Sequence, residues 1–240
     1  MKYLLLGIAV LYTTLSFSQS PDEGYFFGGF ESNSQWLLYD KGLNFEQPDD
    51  AYRANNYFQL SYAFKNFTAG VQYESYLPDA LLGYSTAFSN GNGVATYYFN
   101  YKNEKVDVTG GYFYDQFGSG LVFRAWEERQ LGINNAIRGV RVKYNPTDYL
   151  DFTALYGQQR IGFELSEGTL QGLDANIDIS QGLSIESIDI KMGASYVARY
   201  QDVGAQLELP SNVNVVGGRL DVVKGNFYGG LELASKSKDA

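Results

Sequence analysis

The chain has 240 residues, a formal net charge of −9, 27 glycines, 21 tyrosines and 16 phenylalanines, and neither cysteine nor histidine. Without cysteine there are no disulfides, thiol nucleophiles, thiolate metal sites or lipidated N-terminal cysteine, and without histidine the commonest general base and metal ligand is gone. The acidic balance argues against nucleic acid, whose phosphates need clustered Lys and Arg.

Rings make up 16% of the residues, yet mean hydropathy is only −0.26. That mixture suits strands whose alternate residues meet lipid and water. Met1-Lys2 followed by the apolar run Tyr3 to Tyr12, with Ser16-Phe17-Ser18 before Gln19, reads as a secretory signal peptide over residues 1–18. No linker rich in Pro, Ser or charge divides residues 19–240, which read as one β-barrel domain. No later stretch is long and apolar enough to span as a helix, so a membrane span has to be made of strands.

Tyr25 to Tyr39 reads as the first strand, followed by a polar loop from Asp40 to Asp50. Asp40, Asp49 and Asp50 match no calcium-loop spacing. From Tyr52, the residues Phe58, Leu60, Tyr62 and Phe64 share one face. A Lys65-Asn66 turn should return Phe67, Ala69, Val71 and Tyr73 opposite them, in reverse order.

After a loop from Pro78 to Asn92, the stretch Gly93 to Asp115 alternates again: Ala95, Tyr97, Phe99 and Tyr101 on one face, then Val106, Val108, Gly110, Tyr112 and Tyr114. A two-residue turn at Asn103-Glu104 would set Tyr101 against Val106 and Phe99 against Val108.

Beyond a long connection from Gln116 to Asn134, Gly139 to Asn145 and Tyr149 to Gln158 form a hairpin. Proline fits its turn, Asn145 to Asp148. Leu173, Ala175, Ile177 and Ile179 then face out against Asp174, Asn176 and Asp178. The parity change between Ile185 and Ile188 implies a bulge or longer turn before Ile190, Met192, Ala194, Tyr196 and Ala198. The last hairpin turns at Lys224-Gly225, setting Val222 against Phe227. Short turns thus share one rim and long loops the other, as in an outer-membrane barrel with periplasmic turns and external loops. A soluble lipocalin-like barrel would need an apolar lumen, the reverse of Gln72, Glu74, Asp174, Asn176 and Asp178.

Residues 116–132 stand apart, because glycines, aromatics and four charges crowd a segment too long for a tight turn, so it should fold on itself. Folded into the lumen, it would be a constriction loop in which Arg124 and Arg129 oppose Glu127 and Glu128; the alternative is a structured surface loop capping the barrel. Gly118-Ser119-Gly120 lacks the Lys-Ser or Lys-Thr pair of a phosphate loop. Neighbours such as Glu127 and Glu128 point apart in strand or helix, so they do not make a carboxylate pair. Serine-hydrolase and protease barrels both require histidine, which this chain lacks. These residues therefore imply no catalytic centre, no metal site and no cofactor.

Gly28 to Trp36, Asn55 to Pro78 and Phe117 to Arg129 together resemble a family of outer-membrane barrel proteins of Gram-negative bacteria. The resemblance spans most of the mature chain and implies the fold and the outer-membrane address, but no reaction and no ligand.

The expectation is an all-β, antiparallel up-and-down transmembrane barrel, or the open N-terminal portion of one, with about eleven strands. Bacterial single-chain barrels have even counts. An odd count therefore predicts either further chain after Ala240 or a strained seam between the strand from Phe227 and the first strand. The expected function is a non-enzymatic pore, passage or assembly role in contact with membrane lipid, assembly machinery or other envelope proteins. The alternative is a barrel with a plugged lumen whose external loops bind a partner protein or glycan. An inward loop at 116–132 favours the channel, and an outward loop with exposed Phe123 and Trp126 favours the partner.

Overall fold

A computed structural model describes residues 23–38, 42, 51–81, 83–84, 86–88, 91–202 and 209–239. The leader, Tyr39, Asp40, Asp49 and Asp50 lie outside the described residues. An eleven-stranded antiparallel sheet follows the chain in order: β1 (Tyr25–Trp36), β2 (Tyr52–Phe64), β3 (Phe67–Ser75), β4 (Asn92–Lys102), β5 (Val106–Phe113), β6 (Ile137–Thr147), β7 (Leu150–Ile161), β8 (Glu164–Asp178), β9 (Asp189–Tyr200), β10 (Asn212–Lys224) and β11 (Phe227–Lys236). The all-β meander and the strand count are those expected from the alternation. β1 and β11 are the sheet's two edges, and among the described residues no pairing joins them.

The two faces follow from the two-residue period. Phe58, Leu60 and Tyr62 on β2, Phe99 on β4, Phe152 and Tyr156 on β7, and Leu231 and Leu233 on β11 are exposed, whereas their neighbours Tyr57, Ala63, Thr109, Leu155 and Asp174 are buried. A soluble sheet hides its apolar face; here that face is bare and the polar one is covered. Along β3 the outward row reads Phe67, Ala69, Val71, Tyr73, with aromatic ends and an aliphatic middle, the order that lipid and its two interfaces select.

The register follows the expectation at the β2–β3 turn and shifts by two at two other hairpins. Phe64 pairs with Phe67, Tyr62 with Ala69, Leu60 with Val71 and Phe58 with Tyr73, as expected. In the β4–β5 hairpin, however, Tyr101 faces Val108 and Phe99 faces Gly110, two residues from the expected register. The Asn103 side-chain oxygen accepts from the backbone N–H of Lys105 (2.9 Å) and Val106 (2.8 Å), an Asx turn that enlarges the loop. A shift of two leaves Tyr97 and Phe99 on their expected face, whereas Ala95, skipped at a bulge between the Gln72–Thr96 and Tyr73–Val94 pairs, is buried rather than outward.

The last hairpin moves likewise: Val222 faces Gly229, because Lys224 pairs with Phe227 and Gly225 enters the turn at φ +58°. Pro146 falls in the register break between Tyr144 and Thr147, where the ladder needs no N–H. Ile179 belongs to α1 (Ile179–Gly182), not to the strand, because Asp178 caps that turn by accepting from the Gln181 N–H. β1 ends at Trp36, short of Tyr39. Residues 159–172, unassigned from the sequence, extend β7 and β8 into a long hairpin.

Candidate functional site: a loop folded across the inner face

Residues 114–136 leave the wall after β5 and return at β6. Asp115–Phe117 pairs with Phe123–Ala125, and Glu127–Glu128 pairs with Ile133–Asn134, so the segment folds on itself as its composition implied. Each half is anchored to a different part of the wall.

The first half is apolar. Phe117 and Phe123 (ring centroids 5.1 Å apart) join Phe113, Ala125, Ile137, Leu155 and Val197 in one buried cluster, with Val122 and Leu170 packed against it. Wall glycines make room: a Cβ on Gly217 would lie 2.4 Å from Val122 Cγ2, and one on Gly172 would lie 3.1 Å from the Phe117 ring. At the hairpin tip Gly118 takes φ +54°, and the Ser119 N–H donates to Glu232 of β11 (3.0 Å).

The second half is charged. Arg129 donates to Glu31 of β1 (2.5 Å) and to Gln72 of β3 (3.4 Å), pairs with Glu127 (3.3 Å) and stacks on Tyr57 of β2 (4.2 Å). The Tyr84 hydroxyl donates to the Arg129 carbonyl. The loop thus touches β1 and β11, the two edges of the sheet, from the same side, which requires the wall to curve around it.

Three polar clusters line that inner wall. Arg160 at the end of β7 forks onto Glu74 of β3 (3.0 and 2.6 Å), and both side chains are essentially without solvent exposure. The Tyr76 hydroxyl donates to the same carboxylate (2.7 Å). Burial, followed by the Glu74 charge, pushes the Tyr76 phenol above its ordinary range, so it remains a donor. Phe88, Phe163 and Tyr84 close around this pair.

Arg219 of β10 donates from Nη2 to both oxygens of Asp174 (2.8 and 2.8 Å) and from Nη1 to Ser195 (2.8 Å). Arg141 of β6 lies between Asp107 (3.2 Å) and Asp115 (3.4 Å), with Lys143 also on Asp115 (2.8 Å). Between the loop and β1–β6 runs a groove of about 560 Å³ bordered by Gln59, Gln72, Tyr98, Asn100, Glu127 and Arg141, among others.

Of the four loop charges singled out in the sequence, Arg129 and Glu127 meet and face β1–β3. Arg124 stacks on Trp126 (3.9 Å) and borders a separate groove near Arg199 and Lys236. Glu128 accepts from the Gln130 N–H (3.2 Å). Glu127 and Glu128 diverge, as adjacent strand residues do. Phe123 is buried and Trp126 half-buried.

Sequence reading missed Arg141, Arg160 and Arg219. Arg141 and Arg219 lie on the inward parity of their strands, a signal that could have marked them, whereas Arg160 shares the parity of the outward Phe152 and Tyr156 and is turned inward by the bulge between Gln158 and Arg160. Among the described residues no group of His, Cys, Asp and Glu side chains is arranged to hold a metal, and no helix is long and apolar enough to cross a membrane.

The match to a known family runs over residues 1–240. The chain belongs to DUF6029, a family of unknown function. No curated protein matches this DUF6029 member. Among solved structures it is similar to a BenF-like porin from Pseudomonas fluorescens Pf-5, at 11% identity and TM-score 0.40, covering 88% of this chain and 66% of the porin. It is also similar to OmpTdeltaL8, a loop L8 deletion mutant of OmpT, an outer membrane protein of Vibrio cholerae, at 13% identity and TM-score 0.42, covering 89% of this chain and 72% of that one. The DUF6029 chain therefore spans just under two thirds of the porin's own length.

Proposed function

We propose that this DUF6029 protein is a non-enzymatic outer-membrane barrel protein whose inner loop, residues 114–136, constricts a passage for small solutes. The reading rests chiefly on one observation: a sheet that is apolar outside and charged inside carries a loop bonded to its inner face from β1 to β11. An apolar exterior is stable only against lipid, and within a bilayer a loop of irregular backbone is tolerated only inside protein or a wet lumen. Arg129 and Glu127 are then the charges a solute meets on the β1–β3 side, and Arg124 those on the other.

The partner-binding alternative draws on an outward loop with exposed Phe123 and Trp126. Phe123 at 7% exposure favours the passage. Purified protein in planar bilayers tests the proposal: discrete conductance steps are expected, and steady absence of conductance at verified insertion would overturn it.

A further inference from the structure

We propose that the groove between the inner loop and β1–β6 binds a neutral, hydroxyl-rich solute, in chemical class a mono- or disaccharide. The inference builds on the passage reading and adds what passes. Charge in the lining is cancelled locally: Arg141 is held by Asp107 and Asp115, and Glu127 is held by Arg129. An ion entering this groove would have to compete with an existing partner of its own sign, at a cost in desolvation.

What remains unspent is neutral hydrogen-bonding capacity. Gln59 donates to the Gln72 carbonyl, which also accepts from Arg129, and Gln72 donates to Glu74 (2.6 Å), so the Gln59 carbonyl oxygen is the acceptor this pair leaves to the groove. Asn100 spends its amide N–H groups on Asp107 (2.6 Å), the Val108 carbonyl (3.2 Å) and Thr109 (2.9 Å), and its carbonyl oxygen still borders the groove. Amide and hydroxyl groups carry more than one acceptor site each, so this row can serve several hydroxyls at once. Arg141 borders the groove with its guanidinium already held by Asp107 and Thr109 (3.2 and 3.0 Å).

The groove also offers a ring. Tyr98 lies over Gly70 on the neighbouring strand, where a Cβ would fall 2.4 Å from its Cε1, and its hydroxyl is tied to Ser61 (3.3 Å). Gly70 lets the ring rest on the wall while it still borders the groove. Apolar ring faces beside convergent amides and hydroxyls suit a sugar, which has C–H faces and hydroxyl edges. The volume of about 560 Å³ falls within the roughly 300–1,000 Å³ of small-molecule sites.

Two measurements on the full chain test this. In detergent, calorimetric titration should show saturable sucrose binding, and binding of lactobionate, a sugar acid of similar size, roughly tenfold weaker, a difference of about 1.4 kcal/mol. Tyr98→Ala should weaken sucrose roughly two- to tenfold, the span expected for one ring contact, while Tyr98→Phe retains it. Gln59→Ala serves as a second probe should Tyr98→Ala fail to fold. Absence of saturable sucrose binding, or lactobionate bound as tightly, overturns the inference.

In proteoliposomes, swelling should be faster in sucrose than in lactobionate. Binding without swelling would uphold the saccharide site and refute the passage. Equal swelling in both solutes would uphold the passage and refute the saccharide site.

Discussion

The two halves of the inner loop are held by different forces. Residues 115–125 are fixed by burial: Phe117 and Phe123 are 1% and 7% exposed and pack on Leu155 and Val197. Residues 126–134 are fixed by charge, with Arg129 reaching Glu31 and Glu127 through side chains that keep solvent access. Burial of rings is worth several kcal/mol and tolerates little change of shape, whereas partly exposed ion pairs are worth little and can be exchanged. The apolar half therefore fixes where the loop lies, and under the proposed passage the charged half is the part that would set which solutes it favours.

The largest expected effect sharpens this contrast by taking charge to full burial. Arg160→Ala should destabilise the protein by about 3–5 kcal/mol, because it leaves the buried Glu74 charge uncompensated, with only the neutral donors Tyr76 and Gln72 on it. Replacing both, as Glu74→Leu with Arg160→Met, should recover most of that loss. Chemical unfolding in detergent measures both, and a single variant as stable as the parent would show that the pair is not buried.

Next is the outward face, on which the distinction between inner and outer depends. Leu60→Arg should cost about 2–4 kcal/mol in a bilayer, and Thr96→Arg, on the inner face, far less. Refolding into vesicles provides the comparison, and equal costs would contradict the assignment of faces.

A smaller effect tests the apolar anchor by a single methyl. Gly217→Ala should cost about 1–3 kcal/mol through overpacking against Val122. Its neighbour Gly218 faces open space, so Gly218→Ala should stay within about 0.5 kcal/mol. Because the chain has no cysteine, a Val122→Cys, Gly217→Cys variant should also form one unambiguous crosslink under oxidation. Failure to crosslink would place the hairpin elsewhere.

The smallest stability effect belongs to the charged half. Arg129→Gln should change unfolding free energy by no more than about 1 kcal/mol, yet shift the anion-to-cation permeability ratio toward cations. An Arg129→Gln protein with unchanged selectivity would show that solutes do not pass this side chain.

How much of this was legible follows the range of the interaction. The β2–β3 register could be read because alternation and a two-residue turn are both local. The β4–β5 register slipped by two because the Asn103 side chain closes its loop, which the backbone period cannot reveal. Folding of residues 116–132 on themselves was legible from composition. Its apolar anchor was not, although Phe117 and Phe123 flanking Gly118-Ser119-Gly120 carry the mark of a short hairpin. The Glu74–Arg160 pair joins residues 86 apart in sequence, and only wall curvature brings them together. Inward parity could have placed Glu74, but a bulge between Gln158 and Arg160 inverts the alternation of β7 and hides Arg160 from such a reading.

The central claim is that the loop at 114–136 limits a lumen, and single-channel conductance tests it most directly. Replacing residues 116–124 with a short Gly-Ser linker removes the apolar half and its hold on β7–β11 while leaving the wall strands intact. The account predicts that this variant conducts more than the parent and discriminates less by charge. Conductance equal to the parent's at verified insertion would contradict it.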